Sequence, residues 1–379
     1  AQVGNLAQNV LNFGAVSPAI AQNLSNSQVQ QWNLGVQREF AHVVFKASYV
    51  GTKGNFLTRT RDINLIASPL SAATSIADED ARLPQFQAAF AGLNGGATRR
   101  SNRIDGRYNT IAYVESSANS IYHGLQLEAQ KRWTSGFLFN VAYAYGKAMD
   151  DNSDALNVLI NDSFTQQDPR DNRNNSAVSQ FDIRQRLSVA YVWEPQFFKS
   201  SSNWAARSIL GGWGMAGTTG IRTGFPVTLL AGTRLGITDP ISVLGGGGAM
   251  RVNSAGAFDF NPKPAGSEGA PFGSSGSAGR ITSTYAQSLG LTQPFLGGFG
   301  TLGRNTHRLN GEVNFNWNVY KNFAITERTR FQIRAEFYNL FNNTSFQDVS
   351  RTITANDFGQ YTTVGQNARF IQLGARLVF

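Results

Sequence analysis

Strict alternation of side-chain polarity constrains this chain more than any other feature. From residue 308 to residue 319 every second side chain is polar, and those between are apolar or glycine. The polar set is Arg308, Asn310, Glu312, Asn314, Asn316 and Asn318, and the other set is Leu309, Gly311, Val313, Phe315, Trp317 and Val319. A period of two predicts a β-strand with two unlike faces. Because each buried amide needs several partners, a row of asparagines favours a wet face over a dry core.

Eight other segments alternate in the same way, and their length is informative. Each run has roughly 10 to 14 residues, whereas strands of soluble proteins commonly have about 5 to 6. A tilted strand needs about 9 to 11 residues to cross a bilayer. We therefore predict an all-β fold, an antiparallel transmembrane β-barrel, with strands at 28–40, 43–52, 120–133, 136–148, 183–193, 211–222, 308–320, 328–341 and 369–379.

Composition agrees with such a barrel and excludes other classes. The chain is 41% hydrophobic with a mean hydropathy of −0.25, and it has no apolar run long enough for a spanning helix. Its 39 glycines, 12% aromatic residues and absence of cysteine suit a barrel and leave no thiolate metal site. The net charge of +9 is spread over single basic residues and pairs, so nucleic acid is not an expected partner. Anionic lipopolysaccharide and a basic lumen explain the charge better.

The connectors between the predicted strands alternate in length. Those around 41, 134–135 and 321–327 are short, and those at about 53–106, 149–182, 231–307 and 342–368 are long and polar. Short periplasmic turns and long extracellular loops are typical of outer-membrane barrels. Residues 225–252 could add a hairpin or stay within a loop. The count is about 9 to 12 strands, and since single-chain barrels close with an even number, we expect a further strand or loop remnant in 1–27 and read 28–379 as the C-terminal part of a larger barrel.

The last eight residues alternate and end on an aromatic side chain. Gln372, Gly374, Leu377 and Phe379 form a polar-x-Gly-x-x-apolar-x-aromatic pattern. It closely resembles the C-terminal signal that bacterial outer-membrane barrels present to their assembly machinery. The resemblance implies the barrel assembly machinery as a partner and a last strand that ends on the periplasmic side.

Further motifs resemble the barrel of TonB-dependent receptors of the Oar-like class. They occur in family order from about residue 28 to 379, at residues 49–55, 119–126, 143–147, 212–214, 223–226 and 334–342. The resemblance implies a barrel of about 22 strands, an N-terminal plug and a preceding carboxypeptidase-regulatory-like domain. It also implies import of a large nutrient, such as a carbohydrate, peptide or chelate, with energy relayed by TonB. These residues contain no recognisable plug or TonB box, so energy coupling is carried over from the family.

The strand pattern also predicts which side chains face the lumen. They are Arg184, Arg186, Arg308, Asn310, Glu312, Asn314, Arg330, Arg334 and Glu336. Tryptophans in or at the ends of strands, namely Trp32, Trp133, Trp193, Trp213 and Trp317, are expected to join the aromatic girdles at the membrane interfaces.

Signals for catalysis are weak, and we predict neither an enzyme nor a cofactor. His42, His123 and His307 lie far apart in sequence without metal-ligand spacing, and no nucleophile elbow or phosphate loop occurs. The loop with Asp150, Asp151 and Asp154 is a weak candidate for calcium, although a solvated acidic loop explains it better. Gly245 to Gly248 indicate a flexible loop.

Other readings of the chain stay open at this point. A passive porin or a surface adhesin would occupy the same membrane without energy coupling. A soluble carbohydrate-binding β-sandwich would also carry amphipathic strands.

Overall fold

Nine long strands dominate the computed structural model. It describes residues 16–65, 70–94, 104–105, 108, 110–154, 166–198, 201–232, 250–263, 272–275, 280–326 and 328–379. The long strands are β2 (Gln28–Phe40), β3 (Val43–Asp62), β4 (Thr110–Thr134), β5 (Phe137–Asp150), β7 (Gln185–Trp193), β8 (Trp213–Arg222), β15 (Glu312–Ala324), β16 (Arg330–Tyr338) and β19 (Phe370–Val378). Every strand predicted from alternation is present.

The long strands form one antiparallel sheet. Their order is β19-β16-β15-β8-β7-β5-β4-β3-β2, so each strand lies beside its nearest long neighbours in sequence. Two short strands join it away from this path: β1 (Val16–Ile20) runs parallel to β4, and β6 (Ala177–Val178) pairs with β5. Among the described strands, β2 and β19 are the edges of the path and do not pair with each other. The all-β, antiparallel prediction is confirmed.

Cross-strand register places the apolar sets of all nine strands on one face, here called the apolar face. Directly opposite residues of antiparallel strands share a face. The paired residues can be followed from one edge of the sheet to the other, through residues that are opposite each other or two to four positions away on the same face. One such path is Leu34, Tyr49, Leu125, Tyr145, Leu187, Ile221, Val313, Phe337 and Ile371. A one-residue slip at any strand would send its apolar set to the other side.

The opposite side, here called the polar face, carries the charged and amide side chains. Gln126, Glu128, Arg186, Arg222, Glu312, Asn314, Asn318, Arg334, Glu336 and Gln372 lie on it by the same register. The sheet thus has one apolar side and one polar side, as the alternation predicted.

Glycines on the sheet lie beneath aromatic rings on the neighbouring strand. Tyr191 lies opposite Gly217, and Tyr320 lies opposite Gly214. A methyl group added at either glycine would meet the tyrosine ring at about 2.4 to 2.6 Å. The glycine therefore provides the space in which the ring packs on the backbone, an arrangement that also pins the register.

All short connections meet at one end of the sheet, here called the short-turn end. Ala41 and His42 join β2 to β3, and Ser135 and Gly136 join β4 to β5; all four residues have positive φ, as two-residue primed hairpin turns require. Residues 325–329 join β15 to β16. The long connectors 63–109, 151–184, 223–311 and 339–369 leave from the other, long-loop end.

Several boundaries differ from those predicted. Residues 53–62 were expected in a loop and the next strand was expected to begin at 120, but β3 runs to Asp62 and β4 begins at Thr110, so the two continue as a paired ribbon beyond an irregularity at Gly54 to Thr58. In 225–252 the described residues form only a two-residue strand, β9 (Pro226–Val227), and residues 233–249, with Gly245 to Gly248, lie outside the described part. Extra length in a ribbon is invisible to alternation because both of its faces are partly polar.

The long connectors contain regular structure that the sequence did not predict. Helix α1 (Ile76–Asn94) and helix α3 (Thr284–Ser288) lie in them, and α2 (Trp204–Ile209) lies in the connector between β7 and β8. The remaining short strands are β10 (Asn253–Ser254), β11 (Phe272–Ser275), β12 (Arg280–Ser283), β13 (Leu291–Thr292), β14 (His307–Arg308), β17 (Phe346–Val349) and β18 (Tyr361–Val364). No helix in the described part of the chain is both long enough and apolar enough to cross a membrane.

Candidate functional site at the long-loop end

The long connectors fold together into a layer with its own core, here called the loop layer. Buried side chains from the connector 223–311 pack against buried side chains from the connector 339–369; they are Val227, Leu229, Ala231, Met250, Val252, Phe260, Ala286, Leu291, Leu309, Val349, Ile353, Phe358 and Tyr361. Backbone bonds join the two, with Leu230 N donating to Arg351 O at 2.9 Å and Ile353 N donating to Leu230 O at 2.9 Å. A smaller core joins α1 to the same layer through Phe86 and Leu296.

A buried ion pair ties the loop layer to the sheet. Arg304 donates to Oδ1 of Asp150, the last residue of β5, at 2.5 Å, and both side chains are nearly inaccessible to solvent. The other guanidinium nitrogens donate to Ser153 Oγ at 2.8 Å and Asn175 O at 3.1 Å. The Ser153 hydroxyl in turn donates to Asp150 Oδ2 at 2.8 Å. One arginine therefore connects β5 and two long connectors.

A second buried arginine extends this network. Backbone N of Arg251 donates to Gln167 Oε1 at 2.9 Å, and Gln167 Nε2 donates to Gly300 O at 3.0 Å. Burial, followed by repulsion from Arg304, lowers the pKa of Arg251 to about 10. Its guanidinium is still charged at neutral pH, so the layer holds two arginine charges close together.

The acidic loop proposed for calcium is part of the same network. Asp151 Oδ1 accepts a hydrogen bond from Asn119 N at 3.0 Å and lies 4.0 Å from Arg59, whose side chain is fully buried. None of the described residues hydrogen-bonds to the Arg59 guanidinium. Asp150 and Asp151 thus face arginine and amide donors, while Asn152 Nδ2 donates to the backbone oxygen of Asp154 at 2.6 Å. Within the described residues no group of three or more acidic, histidine or cysteine side chains could hold a metal ion.

Asp182 forms ion pairs with two of the arginines predicted to face the lumen. Its carboxylate accepts from Arg308 and lies 3.6 Å from Arg184, and it also accepts from Ala148 N at 2.6 Å. Arg184 lies one residue before β7, and Arg308 lies in the short strand β14, so neither belongs to a long strand. They belong to the base of the loop layer, and so does Asn310, between β14 and β15.

The other residues of the predicted lumen set lie on the polar face of the sheet. Glu312 Oε2 accepts from Arg222 Nε at 2.9 Å, and Glu336 Oε1 accepts from Asn318 Nδ2 at 3.2 Å. Glu336 also lies 3.4 Å from Arg334. By register Arg186, Asn314 and Arg330 share this face. The polar face therefore presents paired charges and amides with neighbouring small residues.

The three histidines occupy unrelated positions. His42 lies in a turn. Nδ1 of His123 shares a hydrogen bond of 2.7 Å with the Tyr49 hydroxyl. His307 stacks on Phe258 with ring centroids 4.3 Å apart. Burial lowers the pKa of His307, partly offset by its contact with the Phe258 carbonyl. His307 belongs to an aromatic cluster with Phe260 and Tyr285 in the loop layer.

The C-terminal signal residues occupy the edge strand β19. Leu377 lies opposite Phe331 on the apolar face, and Gln372 and Gly374 lie on the polar face opposite Glu336 and Arg334. Phe379 follows the strand and is 94% exposed. It lies at the short-turn end, next to the pair of Val378 and Arg330.

Aromatic side chains mark both ends of the apolar face. Phe40, Trp193, Trp213 and Phe323 lie toward the short-turn end, and Trp32, Tyr49 and Tyr145 lie toward the other. From Phe137 to Tyr145 the strand rises about 26 Å at about 3.3 Å per residue. Trp317 lies between the two rows and stacks on Phe337 at 5.9 Å. This spacing suits a bilayer core crossed by tilted strands.

The sequence did not predict the network around Arg304 and Asp150. The two residues are 154 positions apart, and Arg304 lies in a segment without periodicity. A weak signal was available: five aspartates between 150 and 168 occur beside a long connector rich in arginine and glycine. Charge density alone did not distinguish a solvated loop from a buried ion-pair network.

Comparison with known proteins gives one family match. The family model described as "Outer membrane beta barrel domain" matches residues 2–372. No curated protein matches the chain. Similar solved structures include the outer membrane transporter YddB from Escherichia coli, with 12% identity, a TM-score of 0.45, and coverage of 96% of this chain and 34% of that chain.

Two other solved structures are similar at comparable levels. The ferric-catecholate import receptor Fiu from E. coli K12 has 7% identity, a TM-score of 0.41, and coverage of 94% and 28% of the two chains. The ferripyoverdine receptor of Pseudomonas aeruginosa has 8% identity, a TM-score of 0.40, and coverage of 93% and 27%. The chain thus spans about a third of the length of these proteins or less.

Proposed function

This chain belongs to the outer membrane beta barrel domain family. We propose that it forms part of the barrel wall and the recognition loops of a receptor that imports a large nutrient. The family places it in the outer membrane of a Gram-negative cell. This location removes the soluble carbohydrate-binding sandwich considered above. The finer question is what the barrel does there.

The apolar face is assigned to lipid and the polar face to the lumen. Most large exposed apolar side chains of the long strands, including Leu34, Leu125, Ile333 and Leu373, lie on the apolar face. Soluble proteins rarely expose a contiguous apolar patch that extends over nine strands. Arg186, Glu312, Asn314, Arg330, Arg334 and Glu336 would then line water.

The two edges of the sheet require partners inside a membrane. An unpaired backbone group in hydrocarbon costs several kcal/mol, so open edges are not tolerated there. Since β2 and β19 do not pair with each other in the described sheet, we assign further strands to both edges. This keeps the proposal of a larger barrel, of which residues 28–379 supply one part.

The observation that carries the receptor proposal is the folded loop layer. Loops of a passive pore need only leave the channel open, whereas these connectors share a core of 13 buried residues and are fastened to β5 by Arg304 and Asp150. Binding residues are commonly found on loops positioned by a rigid scaffold. We therefore assign nutrient recognition to the loop layer, with a carbohydrate, peptide or chelate as the ligand class.

Energy coupling rests on the sequence motifs alone. The Oar-like resemblance supports a plug and TonB as partners, and neither belongs to the residues that the structure describes. A passive porin or a surface adhesin would share the barrel but lack this coupling, so the test must separate the three.

Nutrient depletion by living cells tests the proposal. A deletion strain and its parent are grown on mixtures of polysaccharides, peptides and ferric chelates, with and without an uncoupler of the proton-motive force, and the medium is assayed by mass spectrometry. We expect one nutrient class to be depleted by the parent only, and not after uncoupling. Depletion that survives the uncoupler would indicate a porin, and unchanged depletion with lost surface attachment would indicate an adhesin; either result overturns the proposal.

A variant of the loop layer provides the matched control. Asp150→Asn should weaken depletion while the barrel is still inserted, as judged by heat-modifiable migration on gels. Asn314→Gln on the polar face should leave both unchanged. Equal depletion by the Asp150→Asn strain would remove the loop layer from nutrient recognition.

A further inference from the structure

The connector between β7 and β8, residues 194–212, differs from the other connections at the short-turn end. The neighbouring hairpins need two to five residues, but this one is longer and includes α2. The side chain of Asn203 caps α2 by accepting from Ala206 N at 3.2 Å. The capped helix gives residues 203–210 a defined shape.

This connector exposes an unusual number of large apolar side chains. Phe197, Phe198, Trp204, Ile209 and Leu210 are all exposed, and Trp204 reaches 70%. Leaving five large apolar side chains in water is unfavourable, because apolar surface is more stable away from water. A connector with only a structural role would be polar.

Hydrogen bonds hold α2 against the end of the apolar face. Lys321 lies on that face opposite Trp213, and its Nζ donates to Ile209 O at 3.1 Å and to Gly211 O. Trp213 Nε1 also donates to Ile209 O, at 3.0 Å. The lysine charge is satisfied by carbonyls at the C-terminal end of α2 and by the Trp213 ring 5.4 Å away. It therefore anchors α2 at the level where the apolar face ends.

An apolar groove of about 480 Å³ lies between α2 and the sheet. Its wall includes Ile209, Trp213, Phe323, Ile333, Ala335 and Leu373. Leu373 is 78% exposed, so the groove opens toward the side that the apolar face presents to lipid. The groove is continuous with the surface already assigned to hydrocarbon.

Exposed arginines surround the short-turn end. Arg207 projects from α2, and Arg132 and Arg328 are exposed near the neighbouring turns. The carboxylate of Glu194 in the same connector accepts from the Tyr320 hydroxyl at 2.9 Å. The surface around the groove is thus basic at the level where lipid phosphates would lie.

We propose that residues 194–198 and 201–212 form an interfacial lipid-binding element, with α2 at headgroup level and an acyl chain of a glycerophospholipid in the groove. Arg207 lies where it can pair with the lipid phosphate. The element fixes the depth of the barrel at the short-turn end, through the same amphipathic logic that places surface helices at membrane interfaces. It rests on the membrane location and is independent of what the receptor imports.

Spin labels test the position of α2. Residues 1–379 contain no cysteine, so Trp204→Cys and Ile104→Cys each add one site among them for a nitroxide label, which is read in the intact protein in phospholipid nanodiscs. Ile104 is a matched control, 67% exposed but in a long connector. We expect the label at 204 to collide more with oxygen than with a water-soluble nickel chelate, and the label at 104 to show the reverse. Nickel-accessible labels at both sites would overturn the proposal.

Native mass spectrometry tests the groove. Ala335→Trp fills it, whereas Ala47→Trp adds the same ring to the apolar face on β3, away from α2. We expect one tightly bound phospholipid in the parent protein and in Ala47→Trp, and its loss in Ala335→Trp. Retention of that phospholipid in Ala335→Trp, or its replacement by added lipopolysaccharide, would contradict the assignment. Heat-modifiable migration checks that each variant is folded.

Discussion

Glu312 of β15 accepts a hydrogen bond of 2.9 Å from Nε of Arg222 on β8. One residue further on, Val313 lies opposite Ile221 on the other side of the sheet. The charged pair and the apolar pair are thus separated by a single position. Two neighbouring substitutions can therefore test which face meets lipid.

Val313→Arg and Asn314→Arg are expected to differ strongly. An arginine on the lipid side costs up to about 2 to 4 kcal/mol at the bilayer midplane and less toward the long-loop end, where Val313 is the second residue of β15, whereas one on the lumen side stays hydrated and costs least. Equilibrium unfolding in urea, from lipid vesicles, measures both. Equal destabilisation of the two variants would disprove the assignment of the faces.

Asp150→Asn is expected to open the loop layer. It leaves the buried Arg304 guanidinium without its carboxylate, and breaking such a buried pair costs about 3 to 5 kcal/mol. Hydrogen exchange at the Leu230 and Ile353 amides, which join the two connectors, measures the loss of protection. The double variant Asp150→Leu with Arg304→Met should lose less. If these amides lose as much protection in the double variant as in the single variant, the unpaired Arg304 charge is not the cause of the opening.

Acid is expected to weaken the loop layer through His307. Because burial lowers its pKa below the ordinary value of 6.5, the folded layer prefers neutral imidazole and the opened layer binds more protons at low pH. Stability is therefore full above pH 6.5, falls as the pH drops toward the lowered pKa, and is level below it. Hydrogen exchange across this range should show the fall in the parent. His307→Phe keeps the stacking ring and should lack this part of the pH dependence; an identical profile in the two proteins would contradict the prediction.

Phe379→Ala is expected to reduce insertion into the outer membrane. Phe379 is exposed beyond β19, where its ring is available both to the assembly machinery and to the interface. The folded fraction on heat-modifiable gels measures the effect. Gln347→Ala, in a long connector, is the control. Normal insertion of Phe379→Ala would remove this residue from the signal.

Alternation was sufficient to predict the sheet. The run from Val313 to Val319 specified a strand and its two faces, whereas Leu309, in the same alternation, is buried in the loop layer. Register then brought the apolar sets of nine strands together. The alternation of a strand with one polar and one apolar face can be recognised from neighbouring residues, without knowledge of long-range contacts. This is why the boundaries of β2 were predicted to the residue.

The loop layer could not be predicted in the same way. Leu229, Met250 and Ile353 are completely or almost completely buried, yet they lie in segments rich in glycine and polar residues, with neither helical nor strand periodicity. Their burial depends on contacts between connectors more than a hundred residues apart. The contact of Arg308 with Asp182 shows the same limit, because it joins residues 126 positions apart at the base of the layer.

Labelling of intact cells tests whether the long-loop end is outside the cell and the short-turn end is periplasmic. Single cysteines at Asp171, in a long connector, and at Thr326, in a short turn, are treated with a membrane-impermeant maleimide. We expect labelling at 171 on intact cells, and at 326 only after the outer membrane is permeabilised. Labelling at 326 with protection at 171 would contradict it by inverting the barrel.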